Sequence, residues 1–299
     1  MFDVVGVGTN SADEVLTVPA SARDLATMGK ARVTGRQVFP GGQTATTVTA
    51  CAALGLRSRY IGAFGADANG ILLREALRKG GVDLEHAVEC DAPNRSAVIL
   101  VDPAGRRTVM WHLSEQLKVP VQAIGPHSLE AKVVHIDDDE PELALRAAFA
   151  ARARGIPVTS DIEHLSDRTE QMIAAVTYPI FEQTLPARLT GEPDPERALR
   201  TLRRLNHNLL LMTLGENGAV ALEGDRFHAA PAFKVTTTDN TGAGDVFRAG
   251  VIYGVLNNLA VPDLLRFANA AAAIACTRLG AIPSVPTLEE VRELLQSSR

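Results

Sequence analysis

Five short apolar runs recur along the chain between segments of helical length and period, and this alternation limits the fold more than any other feature. They read FDVVGV from Phe2, SRYIGAF from Ser58, KVVHI from Lys132, IPVTS from Ile156 and LLLMTL from Leu209. A strand apolar on nearly every residue must be buried on both faces, which a parallel sheet between helical layers provides. Helix ends are marked too. Asp194 followed by Pro195 supplies an N-cap and first turn, and Thr287 with Glu290 has the spacing of a capping box. The pattern predicts an α/β fold with a mainly parallel central sheet flanked by helices.

Four further segments alternate like half-exposed strands: EVLTVPA, ARVTGRQVF, SAVILV and RTVMWHL. The last two flank DPAG, Asp102 to Gly105, which suits a type I turn. These pieces fall within residues 14–40 and 95–113, so they predict a small antiparallel β lid inserted into one domain spanning 1–299. A lid of this kind can cover a reaction site; an edge sheet or a dimer surface is the other use.

The 299 residues, 46% of them hydrophobic, are enough for a large core. With 30 basic residues against 35 acidic ones, no basic field is available to attract nucleic acid or an anionic membrane. No apolar run reaches the roughly 18 residues of a membrane span, and MFDVVGVGTN lacks the basic start of a leader segment, so a cytoplasmic protein is expected. The three cysteines are widely spaced and suit reduced thiols, with Cys51 and Cys276 as core filler. None of the seven histidines has HExxH or paired-ligand spacing, which argues against zinc. VVGVGTNS begins like a dinucleotide fingerprint, but Ser11 stands where the third glycine belongs.

The stretch DNTGAGD, Asp239 to Asp245, carries the chemistry. The β-branched run before it predicts a strand, and DVFRAGVIYGVL has helical length, so TGAG should lie at a strand-to-helix turn. Glycines there let the backbone approach a ligand, and the first helical amides attract an anion. Asp245 beside that cradle could take a proton from a hydroxyl attacking phosphorus. A carboxylate in a first turn can also simply complement the helix dipole. Gly250 and Gly254, inside the same helix, each cost about 1 kcal/mol against alanine and predict close packing.

DNTGAGDVFRAG resembles the C-terminal signature of the ribokinase-like (PfkB) family of sugar and nucleoside kinases. Other landmarks follow in that family's order: GTNSADEV near the start, PGGQTATTVTACAALG from Pro40, IGAFGADANGILLREALRKGGVD from Ile61, MTLGENGAV from Met212 and ANAAAAIACTRLGAIPSVPTLEEV from Ala268. The resemblance implies that Asp245 is the catalytic base and that Gly242, Ala243 and Gly244 form the anion hole for the γ-phosphate of ATP. It implies sugar contacts from Asp13, from the diglycine Gly41 and Gly42 with neighbouring Gln43 and Thr46, and from Asp137. Thr213, Gly215 and Asn269 match nucleotide-contacting positions. A monovalent cation site, expected to take K⁺, is implied at Asp239, Thr241, Ala275, Arg278, Gly280 and Ser284, largely through carbonyl oxygens. A homodimer through the lid is a further implication.

Two departures stand out. Thr46 replaces an asparagine common in the family, and the usual NxxE before Leu189–Gly191 is absent, leaving Glu182 and Gln183 as the nearest groups for Mg²⁺ and ATP. No P-loop lysine motif occurs, so the TGAG amides must carry more of the charge stabilisation. In HIDDDEPELALRAA, Asp138 to Glu140 are expected to cap the following helix, with Asp137 alone facing a ligand. Arg107, Trp111 and His112, on a predicted lid strand, could face substrate or pack; Arg106 and Arg107 form the one basic pair suited to a phosphosugar. The expected activity is ATP-dependent phosphorylation of a hydroxymethyl group on a small sugar or sugar acid. A nucleoside kinase and a catalytically silent binding protein are the alternatives.

Overall fold

The computed structural model describes residues 1–104, 107–125 and 127–297, with only the backbone of Arg107. From the N-terminus the elements are β1 (Phe2–Val7), β2 (Ser11–Thr17), α1 (Ala22–Met28), β3 (Gly35–Gly41), α2 (Gln43–Ala53), β4 (Ser58–Ile61), β5 (Ala63–Gly65) and α3 (Ala68–Lys79). There follow β6 (Val88–Cys90), β7 (Ser96–Val101), β8 (Arg107–His112), β9 (Ala131–Asp137), α4 (Pro141–Arg152), β10 (Val158–Asp161), α5 (Thr169–Ala175), β11 (Ile180–Phe181) and α6 (Leu185–Thr190). The C-terminal part holds α7 (Pro195–Leu202), β12 (Leu210–Thr213), β13 (Ala219–Glu223), β14 (Arg226–Ala230), α8 (Ala243–Leu256), α9 (Val261–Ala275) and α10 (Leu288–Ser297).

All five apolar runs are strands of the central sheet. Its parallel part runs in the order β4-β1-β9-β10. Ile162 N donates to Ile180 O at 3.1 Å and joins the end of β10 to β11. Beyond it β12 pairs parallel to β11, and β13 and β14 close the edge antiparallel. Side chains alternate across β1. Val4 joins Val246, Ala249 and Phe267 under α8 and α9, while Val5 and Val7 join Leu143 and Ala147 under α4. Burial on both faces is why these strands read as unbroken apolar runs.

Helices α8 and α9 pack in near backbone contact. A Cβ on Gly250 would lie 2.6 Å from the Ala268 Cα, and one on Gly254 would lie 2.7 Å from the Leu264 Cγ. The two helical glycines are accounted for by this approach, as expected. The capping box is present as well, with Glu290 Oε2 accepting from Thr287 N at 2.8 Å and Thr287 Oγ1 accepting from Glu290 N at 3.3 Å.

The lid is a sheet in the order β3-β2-β7-β8. Pairs β2/β3 and β7/β8 are antiparallel, and the two hairpin-like halves meet through a parallel β2/β7 junction. Asp102 Oδ1 accepts from Ala104 N at 2.9 Å in the β7–β8 turn. Register places Asp13, Phe39, Ala97 and Trp111 opposite one another and hence on one face, with His112 on the other. Arg106 and the Arg107 side chain lie outside the described residues.

One expected strand is absent. The β-branched run before Asp239 is irregular, because Thr238 N and Asp239 N both donate to Cys276 O beyond α9, at 2.8 and 3.2 Å, instead of to a sheet neighbour. The TGAG turn therefore follows a loop anchored on a helix end. Among the described residues no helix is long and apolar enough to cross a membrane.

Candidate active site

The C-terminal ends of β1, β9 and β10 open toward the lid, the side on which open α/β sheets hold ligands. Asp137 ends β9 in the middle of this edge. Its Oδ2 accepts from Thr9 N at 2.7 Å, Thr9 Oγ1 at 2.9 Å and Thr44 Oγ1 at 2.8 Å, while Oδ1 is buried without a partner. Burial first, then the neighbouring Asp139, push this carboxyl up to about 6. A side chain at Gly8 would have its Cβ 2.2 Å from Asp137 Oδ2, so glycine is needed for the β1 end to pass the acid.

Asp13 approaches from the lid. It accepts from Ser11 Oγ at 2.7 Å, and its second oxygen fills the space of a Gly41 Cβ, at 2.5 Å. Burial raises it to about 6, with Asp239 adding to the rise. Asn10 anchors the lid's root: its amide donates to Tyr60 Oη at 2.9 Å and Ala63 O at 2.7 Å, and its carbonyl accepts from Asn94 at 2.9 Å. Gly42 begins α2 at φ +97°, and a Cβ there would meet the Asn10 backbone at 2.4 Å. The diglycine thus lets the lid root and α2 cross.

The acids after Asp137 do not cap α4, as the sequence suggested. Glu140 occupies the cap position without a side-chain bond. Asp138 instead ties β9 to the segment after β10, accepting from Glu163 N at 2.9 Å, His164 N at 2.7 Å and the His164 ring at 2.9 Å. That contact lifts His164 to about 9. Asp139 pairs with Arg95, which lies 5.6 Å from the Trp111 ring centre on the lid. Glu140, half-buried beside Asp137 and Asp139, is raised to about 7, mainly by burial.

Helix α8 brings the opposite wall. Gly242 precedes it at φ +79°, with the space of a Cβ closed by the Ala281 Cα at 2.8 Å. Left-handed backbone and a crowded neighbour both demand glycine. Ala243 N donates to Asn240 O at 3.3 Å, whereas the amides of Gly242, Gly244 and Asp245 have no acceptor among the described residues. Thr46, whose Cγ2 lies 3.4 Å from the place of a Gly242 Cβ, has its Oγ1 shut off from water and unpartnered, as are the amide atoms of Gln43 at the start of α2. Buried polar atoms without partners are rare, and a cluster beside bare amides has the donor set of a site for an anionic or polyhydroxy ligand.

Asp245 is 9% exposed, and Thr47 Oγ1 donates to its carbonyl at 3.2 Å. Burial raises its carboxyl well above the ordinary value, Arg248 opposes the rise, and Glu163, Asp137 and Asp13 reinforce it. Asp245, Asp137 and Asp13, far apart in sequence, therefore lie within electrostatic reach of one another.

The remaining expected positions form two groups. Gln183 Oε1 lies against Gly215, 3.4 Å from where a Cβ would be, and Thr213 Oγ1 donates to Phe181 O at 3.4 Å. Glu182 is occupied locally, accepting from Thr184 N at 2.8 Å and Thr184 Oγ1 at 2.6 Å. Asn269 spends its amide on Ala230 O and Pro231 O, at 2.9 and 3.1 Å, and so pins the exit of β14. In the second group Asp239 draws Thr241 and Gly280 together, accepting from Thr241 N at 2.9 Å and Gly280 N at 3.0 Å. Ala275 O accepts from Arg278 N at 3.1 Å, Ser284 Oγ donates to Ala281 O at 2.7 Å, and the Arg278 guanidinium pairs with Glu290.

Sequence reasoning missed Thr9, Asn10, Thr44, Asp161, Glu163 and Arg248. Thr9, Asn10 and Thr44 lie inside GTNSADEV and PGGQTATTVTACAALG without standing out there, and Arg248 left a trace as the single cation in the apolar helix DVFRAGVIYGVL.

Residues 3–288 match the pfkB family of carbohydrate kinases. The ATP-dependent ribose-1-phosphate kinase of Halopiger xanaduensis is 30% identical over 278 residues, 89% of this chain and 90% of the relative. The ribokinase of Haemophilus influenzae is 24% identical over 97% of both chains. The structure of Arabidopsis thaliana ribokinase complexed with ribose and ATP shares the fold at a TM-score of 0.83, with 23% identity over 99% of each chain. The chain belongs to the pfkB family of carbohydrate kinases and is an ATP-dependent sugar kinase.

Proposed function

We propose that this kinase phosphorylates the hydroxymethyl group of a small neutral sugar, with Asp245 as the base. The observation that carries the reading is the position of Asp245 beside the bare amides of Gly242 and Gly244 and within electrostatic reach of Asp13 and Asp137. Asp13, Asp137, Gln43 and Thr46 hold the sugar hydroxyls; Gly41 and Gly42 bring backbone close to it. The carboxylates Asp13, Asp137 and Glu140 outnumber the cations facing them, which favours an uncharged polyol over a sugar acid.

In the reaction the sugar oxygen forms a bond to the γ-phosphorus as the bond to the β–γ bridging oxygen breaks, and ADP leaves. The hydroxyl proton passes to the Asp245 carboxylate. Amides at the start of α8 and the helix dipole stabilise the charge on the transferring group. Thr213, Gly215 and Gln183 border the nucleotide, and the lid, once closed, keeps out competing water. Mg²⁺ would enter with ATP, near Glu182 and Gln183, and when bound would offset part of the phosphate charge. Asp239, by accepting from the Thr241 and Gly280 amides, draws together the segments whose carbonyls, with those of Ala275 and Arg278 and the region of Ser284, would hold K⁺. The outer lid face, with Val38 and Met110 40% and 50% exposed, supports a homodimer.

The test is ADP release over ribose, fructose, ribose 1-phosphate, 2-keto-3-deoxy acids and nucleosides. A neutral sugar should give the highest kcat/KM. Asp245→Asn should lose at least about a hundredfold in kcat while still binding sugar and ATP by calorimetry. Wild-type turnover in Asp245→Asn refutes the base, and preference for an acid or a nucleoside refutes the substrate class.

A further inference from the structure

Arg248 is 1% exposed, one helical turn beyond Asp245, and the reaction as described gives it nothing to do. Such a guanidinium is not placed there for packing: an apolar side chain would fill the same volume without the cost of removing a charge from water. Its Nη2 pairs with Asp161 and lies 3.2 Å from Glu163 Oε1, both just after or at the end of β10. Its Nη1 lies where a side chain on Gly244 would begin, 2.5 Å from that Cβ position, so the guanidinium backs directly onto the turn whose amides are bare. Nε has no partner. Two carboxylates thus hold the group by one end and leave the other against Gly244.

Among the described residues the other ionisable groups acting on Asp245 are acidic: Asp13 from β2, Asp137 from β9, Asp161 and Glu163 from β10 and its exit. Helix α2, which also packs there, contributes threonines and no charge. His135, buried beneath, is held neutral by burial and by Arg248 itself, near 3. One fixed cation therefore stands against four carboxylates around the group that must be ionised to accept a proton.

We propose that Arg248 is a positioning residue for phosphoryl transfer: clamped by Asp161 and Glu163, it keeps Asp245 ionised and backs the Gly242–Gly244 turn with positive charge. This rests on the assignment of Asp245 as the base. Without the guanidinium, Asp245 keeps its proton to higher pH and cannot take one from the sugar. Removing a neighbouring carboxylate instead releases the proton at lower pH.

The experiment is kcat against pH for the wild type, Arg248→Met, Arg248→Lys and Glu163→Gln, with saturating ATP and sugar. In Arg248→Met the acid limb should move up by about one pH unit or more, while KM for both substrates changes by less than about threefold. Arg248→Lys should restore the limb toward the wild type, and Glu163→Gln should move it down. Opposite displacements are a signature that a purely structural role does not produce. An unmoved limb in folded Arg248→Met overturns the proposal. Should Arg248→Met fail to fold, Glu163→Gln decides alone, and an unmoved or rising limb overturns it. Asp245→Asn separates the two ideas: retained turnover there removes the base itself, whereas an inactive Asp245→Asn with an unmoved Arg248→Met limb removes only the role of Arg248.

Discussion

Asp137→Asn should make the ligand-free protein more stable at neutral pH, although it removes a group from the substrate site. The carboxylate is fully buried, and all three of its hydrogen bonds fall on Oδ2. An asparagine oriented with its oxygen in that place keeps all three and puts its NH₂ where Oδ1 already lacks a partner. What changes is the charge. The folded-state value is raised from 3.8 to about 6, a rise of about two pH units, or about 3 kcal/mol at 1.36 kcal/mol per unit. Below 3.8 both folded and unfolded chains hold the proton and the substitution is neutral. Between 3.8 and about 6 the folded protein binds a proton that the unfolded chain has released, so wild-type stability falls as pH rises. Above about 6 the deficit is constant.

The variant's advantage should therefore grow from near zero at pH 4 to about 2–3 kcal/mol at pH 8. Urea unfolding of both proteins without ligand at pH 4, 6 and 8 measures it, and the sugar KM of the variant should rise because one acceptor is lost. No gain at pH 8, or the same gain at every pH, refutes the account of a carboxylate whose charged form is disfavoured by burial and by Asp139.

Two further substitutions test the backbone arguments. Gly242→Ala forces a side chain into left-handed backbone at about 1–2 kcal/mol and against Ala281, and the displaced amides should lower kcat by about a hundredfold or more, read by thermal unfolding and steady-state kinetics. Gly250→Val inserts a branched side chain into the α8–α9 contact and should destabilise by at least about 1–3 kcal/mol, with kcat of the folded enzyme unchanged at low temperature. Loss of kcat in Gly250→Val without loss of stability contradicts the packing role given to that glycine.

Local signals carried much of the fold. The five apolar runs became buried strands because a parallel sheet between helices leaves no face polar, and the Thr287–Glu290 box formed because both partners lie within one turn. The turn DNTGAGD was legible as a helix start for the same reason: Gly242, at positive φ, and the first helical residues are consecutive in the chain. Asp138 and Asp139 were misread as part of a helix cap, since the sequence does not reveal that the β10 exit and Arg95 lie within hydrogen-bond reach.

By itself the sequence determined the layered α/β order, the half-exposed strands of a second sheet and the glycine turn followed by an acid, all of them properties of neighbouring residues. Tertiary structure decided which charges act on one another: Asp13, Asp137, Asp161, Glu163 and Arg248 arrive around Asp245 from β2, β9, β10, the segment after β10 and α8. Burial and Coulomb forces depend on distance in space, and that distance is set only when the sheet has placed its strand ends side by side.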